Sequence, residues 1–87
     1  MSYILDTIRA PFKAVQTQLK KDAEQHAKDG MYLEHLWKNV DNDDMVVFLF
    51  RVDDLAKCRK LIAKKHNDAL EADPKALLPR MTFLQGD

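Results

Sequence analysis

The chain has 87 residues, 46% of them hydrophobic, and its 14 basic side chains balance 14 acidic ones. That composition allows one small folded domain and gives no net field to draw in nucleic acid or an anionic membrane. Cys58 is the only cysteine, which excludes an internal disulfide and a zinc site of paired thiolates. No apolar run approaches the ~20 residues of a membrane span.

Ser2 to Ile8 are apolar and β-prone, which predicts a first strand, and the turn-like Arg9-Ala10-Pro11 follows. Pro11 suits a first helical turn, where its missing N–H has no partner to lose. Phe12, Val15, Leu19, Ala23 and Ala27 then recur at three- and four-residue spacing, the stripe of an amphipathic helix that Gly30 ends. Met31 to Val40 alternate, Asp41 to Asp44 make a short polar turn, and Met45 to Val52 form an apolar run, so a β-hairpin is expected. Asp53-Asp54 supplies a helix N-cap, and Leu55, Cys58, Ile62, Ala69 and Leu70 supply a second buried stripe. That helix is expected to reach about Ala72, with a break near Lys64 to His66. Pro74 and Pro79 mark a loop before a last strand, Arg80 to Gln85. The order β-α-β-β-α-β over residues 1–87 is the split pattern of a single ferredoxin-like α+β sandwich, with two helices on one face of a four-stranded antiparallel sheet.

If Val40 opposes Met45 across the hairpin, parity divides the strands into two faces. One carries Leu33, His35, Trp37, Asn39, Val46, Phe48, Phe50 and Val52, and this more apolar set is expected beneath the helices. The other carries Tyr32, Glu34, Leu36, Lys38, Val40, Met45, Val47, Leu49 and Arg51. The five aliphatic residues Leu36, Val40, Met45, Val47 and Leu49 are a large apolar patch for a monomer. Burying ~600 Å² of such a face is worth on the order of 15 kcal/mol of gross apolar transfer. A homodimer, sheet against sheet, is therefore expected.

The block from Val40 to Arg59, VDNDDMVVFLFRVDDLAKCR, together with Pro79-Arg-Met-Thr-Phe-Leu84, resembles the dimeric α/β-barrel superfamily. The antibiotic-biosynthesis-monooxygenase-like domains are among its members. The resemblance implies a homodimer whose two sheets face each other around a barrel-like space. It does not carry over enzyme residues. Where monooxygenase-like members have an aromatic at the end of the third strand and a histidine along the next helix, this chain has Val52 and Leu61. The asparagine that haem-degrading members carry on the first strand is missing from Tyr3-Ile4-Leu5-Asp6-Thr7-Ile8.

The candidate chemistry centres on the hairpin. His35 is the candidate general base. Tyr32, Glu34, Trp37, Lys38 and Arg51 are candidate ligand contacts, and Tyr3 and Phe48 are further wall residues. Against this stands ordinary cross-strand packing of His35 and Trp37 with Phe48 and Phe50. His26 and His66 have no histidine, cysteine or carboxylate partner at ligand spacing on a common face, so no metal and no cofactor are expected. The aspartates 41, 43, 44, 53 and 54 serve turns and caps, and Lys57, Arg59, Lys60, Lys64 and Lys65 form a solvated stripe. Cys58, on the inner side of its helix, reads as a small core residue. A lone thiol and an N-terminus without signal character suggest a cytoplasmic setting. The functional expectation is a homodimeric binding or accessory domain that holds a small apolar or aromatic molecule in or beside the inter-sheet space. The alternatives are a cofactor-independent monooxygenase or isomerase of an aromatic substrate, and a structural or partner-binding subunit.

Overall fold

The computed structural model describes residues 1–86. Six elements follow one another: β1 (Ser2–Arg9), α1 (Phe12–Lys28), β2 (Met31–Lys38), β3 (Met45–Val52), α2 (Leu55–Ala72) and β4 (Arg80–Gln85). The strands form one sheet in the order β2-β3-β1-β4, every neighbour antiparallel. This is the ferredoxin-like α+β fold expected from the element order. β1 and β3 occupy the centre, so the two halves of the chain interlock through their first strands.

Local chemistry sets the element ends. Pro11 stands in extended backbone before α1 and its carbonyl accepts from Val15 N at 3.2 Å, so the helix starts without a side-chain cap. Asp29 closes it, and Gly30 follows at φ +76°, a conformation that L side chains rarely adopt. The Gly30 carbonyl accepts from Asp53 N at 2.9 Å, tying the α1–β2 turn to the end of β3. Asp54 caps α2 by accepting from Lys57 N at 3.1 Å. α2 runs unbroken to Ala72, so the break expected near Lys64 to His66 does not occur. The helix has no proline or glycine there to interrupt it.

Ile4, Val46, Phe48, Phe50 and Val52 on the sheet meet Val15 and Leu19 of α1 and Cys58 and Ile62 of α2 in the core. Cys58 is 1% exposed, its thiol donates weakly to the Asp29 carbonyl at 3.5 Å, and burial pushes its pKa up. It is the core residue its position suggested.

The hairpin register differs from the expected one. Met31 pairs with Val52, Tyr32 with Arg51 and Leu33 with Phe50, but the next pair is His35 with Leu49, so the ladder slips by one residue at Glu34. A single inserted residue in a strand reverses the facing of everything beyond it. Leu36 therefore pairs with Phe48 and packs against the core, and Lys38 pairs with Val46 on the same side. His35 and Trp37 join Leu49 and Val47 on the face turned away from the helices. The assignment of His35, Trp37 and Asn39 to the helix-covered face is thus corrected. Val40 does not face Met45 in a ladder. It lies in the connection, 91% exposed, while Asn39 N donates to Met45 O at 3.0 Å and Asn39 Oδ1 accepts from Asp41 N at 2.8 Å. The apolar outer face keeps Met45, Val47 and Leu49, loses Leu36 and Val40, and gains Trp37, Leu5 and Leu84.

Candidate functional site

The floor of the candidate site is a single residue of β1. Asp6 sits between Ile4 and Ile8 on the helix-facing side, with Phe48 of β3 and Met81 of β4 as its cross-strand neighbours. It is 1% exposed, and no donor reaches its Oδ1. A buried carboxylate without partners is among the costlier groups a small domain can carry. Loss of hydration raises its pKa from the ordinary 3.8 to about 7. Near neutral pH the group therefore exists in both protonation states, the range in which a carboxyl can take and return a proton.

A cavity of about 290 Å³ opens above this carboxyl, between α1, α2 and the sheet. Leu19, Met31, Phe48, Phe50, Ile62 and Met81 make its apolar walls. Polar groups come from the helices: Gln18, Asp22 and His26 from α1, Lys65 and His66 from α2. The volume is at the small end of the range for ligand pockets, and apolar walls with few convergent polar groups are their usual lining. A second hollow shares Ile62, His66, Pro79 and Met81 with it and continues under α2 toward Arg59 and Phe83. The Arg59 guanidinium lies over the Phe83 ring, 4.4 Å from its centroid.

The walls are held in place. The His26 ring meets Phe50 edge-on with centroids 5.0 Å apart. Burial lowers its pKa, Asp22 opposes that, Lys65 adds to it and Asp29 opposes it, with the net effect favouring the neutral imidazole. Lys65 of α2 reaches Asp29 at the end of α1, 3.5 Å apart, and this bridge spans the two helices beside the cavity. Gln18 donates to Asp22 at 2.9 Å within α1.

The residues singled out from sequence lie elsewhere. His35 and Trp37 stack on the outer face with centroids 4.8 Å apart and planes 11° from parallel, and Trp37 is 46% exposed. Arg51 lies 4.6 Å over the Tyr32 ring and pairs with Asp53 at 3.2 Å, while the Tyr32 hydroxyl donates to Asp53 at 3.3 Å. Tyr32 also borders a separate hollow of about 380 Å³ between α1 and β2. Glu34 is the exposed residue at the slip in β2. Lys38 faces the helix side at the strand's end, apart from the others. The outer set therefore brings His35 and Trp37 together and separately joins Tyr32 to Arg51. Phe48 alone of the suggested wall residues lines the cavity. Asp6 was missed, although a carboxylate two residues from an isoleucine on either side of a strand is a visible signal.

Among the described residues no group of three or more histidine, cysteine or acidic side chains is placed to hold a metal ion, and no helix is long and apolar enough to cross a membrane.

The sequence matches no family model and no curated protein. In three dimensions it is similar to the crystal structure of a candidate antibiotic biosynthesis monooxygenase from Deinococcus radiodurans, with a TM-score of 0.64 over 100% of this chain and 93% of that one, at 16% identity. The chain thus has the ferredoxin-like fold seen in an antibiotic-biosynthesis-monooxygenase-like protein, and at that identity the likeness is one of fold.

Proposed function

We propose that the chain is a cytoplasmic homodimeric domain that binds one small, mostly apolar or aromatic molecule in the cavity between the helices and the sheet of each subunit. The observation that carries this reading is the unpartnered Asp6 carboxyl beneath an apolar cavity. A protein gains nothing in stability from such a group, and a ligand hydroxyl, amide or activated C–H is the partner its surroundings lack. The fold likeness to a monooxygenase-like protein supports an enzymatic version, in which the substrate is oxygenated or isomerised without a cofactor.

Filling the cavity tests the reading. Ile62→Trp is expected to abolish the thermal upshift that a panel of one- and two-ring phenols and ketones gives the wild-type protein. It should leave the circular dichroism spectrum unchanged. No upshift with any member of the panel would remove the basis for the cavity reading.

The dimer rests on the outer face, where Leu5, Val47 and Leu49 are only half covered and Trp37 and Leu84 are exposed. Leu49 is central to it, flanked by Leu5 and His35. Light scattering is expected to give about twice the 10.1 kDa chain mass. Leu49→Lys should return it to the single-chain value at micromolar concentration, because a desolvated lysine opposite its own symmetry copy is strongly unfavourable. A monomeric wild-type protein would exclude this assembly.

A second reading places the ligand between the two sheets, against the stacked His35 and Trp37, with His35 as base and Tyr32, Glu34 and Arg51 as contacts; Lys38, on the helix side, drops out of this set. The stacked pair favours it, since an exposed indole face is a platform for a flat molecule. Retained binding in Ile62→Trp together with loss in Trp37→Ala would select it.

A further inference from the structure

We propose that Asp6 is an acid–base residue acting on a planar carbon acid of one or two rings, a ketone or its enol, bound with the acidic C–H against its carboxyl group. This inference rests on the cavity reading above and names its substrate class. Geometry supplies the first ground. The carboxyl lies at the middle of a central strand and borders the cavity, and no protein donor satisfies its buried oxygen. The second ground is the wall. Phe48, Phe50 and Met81 offer flat or yielding apolar surface to a ring, and about 290 Å³ limits the occupant to a small one. An anionic ligand finds the one lysine on these walls, Lys65, already held by Asp29. A neutral, weakly acidic molecule fits.

The step balances without a co-reactant. A lone pair of the Asp6 carboxylate takes the proton from the carbon next to the carbonyl. The C–H electrons become the new C=C bond, and the C=O π pair moves onto oxygen to give the enolate. The imidazoles of His26 and His66 are the donors available to that oxygen. Exchange of the carboxyl proton with solvent before its return to the same carbon gives the exchanged ketone, return to a conjugated carbon gives the isomer, and either regenerates the carboxylate. Nothing is oxidised or reduced. The raised pKa of the carboxyl supports the role, since base and carbon acid are then closer in proton affinity. Other groups facing the cavity are Gln18, Asp22 and His26 from α1 and Lys65 and His66 from α2.

The test uses 2-tetralone in D2O. Proton NMR reads the loss of the C1 proton signal, and saturation-transfer NMR reads binding. Wild-type protein is expected to accelerate exchange at least ~100-fold over buffer, with the rate rising as Asp6 ionises through pH 7. Asp6→Asn should still bind and exchange at the buffer rate, and Ile62→Trp, with Asp6 intact, should do neither. Exchange in Asp6→Asn as fast as in wild type overturns the proposal, as does binding to wild type without exchange, and in both cases the cavity reading stands. No binding to wild type overturns both.

Discussion

Asp6→Asn is expected to stabilise the protein, and to do so more as the pH rises. The gain in unfolding free energy should grow by about 2.5 kcal/mol between pH 5 and pH 8, on the order of 10–20 °C in melting temperature for a domain of this size. The cause is the raised pKa of the buried carboxyl, about 7 folded against 3.8 for an ordinary aspartate. The folded state holds its proton more tightly than the unfolded chain, so the stability associated with protonation is present below pH 4 and is lost as pH climbs through 7. The amide has the shape of the protonated acid and no charge to form, so the variant loses this dependence. His26 and the other titrating groups act in both proteins, and the difference between the two melting curves isolates Asp6. Thermal denaturation followed by circular dichroism at pH 5 and pH 8 is sufficient. An equal shift at the two pH values would mean that the carboxyl is hydrated in the folded protein and that its role at the cavity floor is lost. Most substitutions of a buried residue destabilise, so a gain here would mark a position held by chemistry and not by packing.

Phe50→Ala should have the largest opposite effect. Phe50 is 3% exposed, meets His26 edge-on at 5.0 Å and Phe48 edge-on at 5.8 Å, and pairs with Ile4 and Leu33 on its two sides. Truncation removes a large buried ring and leaves a void that joins the existing cavity, at a cost of about 3–5 kcal/mol. For a domain with a stability on the order of 5–15 kcal/mol, that brings the variant close to unfolding at 37 °C. Phe50→Leu keeps most of the volume and should cost about 1.5 kcal/mol or less. Urea denaturation distinguishes them. A Phe50→Ala midpoint within experimental error of wild type would show that the ring is not part of the core that holds α1 to the sheet.

The pattern of elements was legible because each is marked locally. Proline opens α1, Gly30 follows it, Asp54 caps α2, and apolar periodicity changes from four to two and back between them. Arg80 to Gln85 was read as a strand and is one. The facing of β2 was not legible, because Met31 to Lys38 alternates plausibly in either register and only pairing with β3 reveals the slip at Glu34. The site was harder still. Sequence reading favoured aromatic and imidazole side chains, which advertise themselves, and these lie mainly on the outer face. Asp6 needed no unusual neighbour in sequence to become unusual. Its character comes from Phe48, Met81 and the two helices, brought to it by chain segments far away, and desolvation has no local signature.

The slip at Glu34 also bears on how this fold diversifies. Length changes are usually confined to loops, where they alter reach and leave the interior alone. A residue gained or lost at position 34 would instead exchange the solvent and core allegiance of His35, Leu36, Trp37 and Lys38 at one stroke. The aromatic platform would become part of the cover over α1's side of the sheet, and the outer face would receive a leucine in place of a stacked imidazole and indole. Between relatives whose β2 strands differ by that one residue, aligned positions would no longer be equivalent in space. The second strand is thus a point where the outer surface of the sheet can be rewritten without altering β1, and with it Asp6, at all.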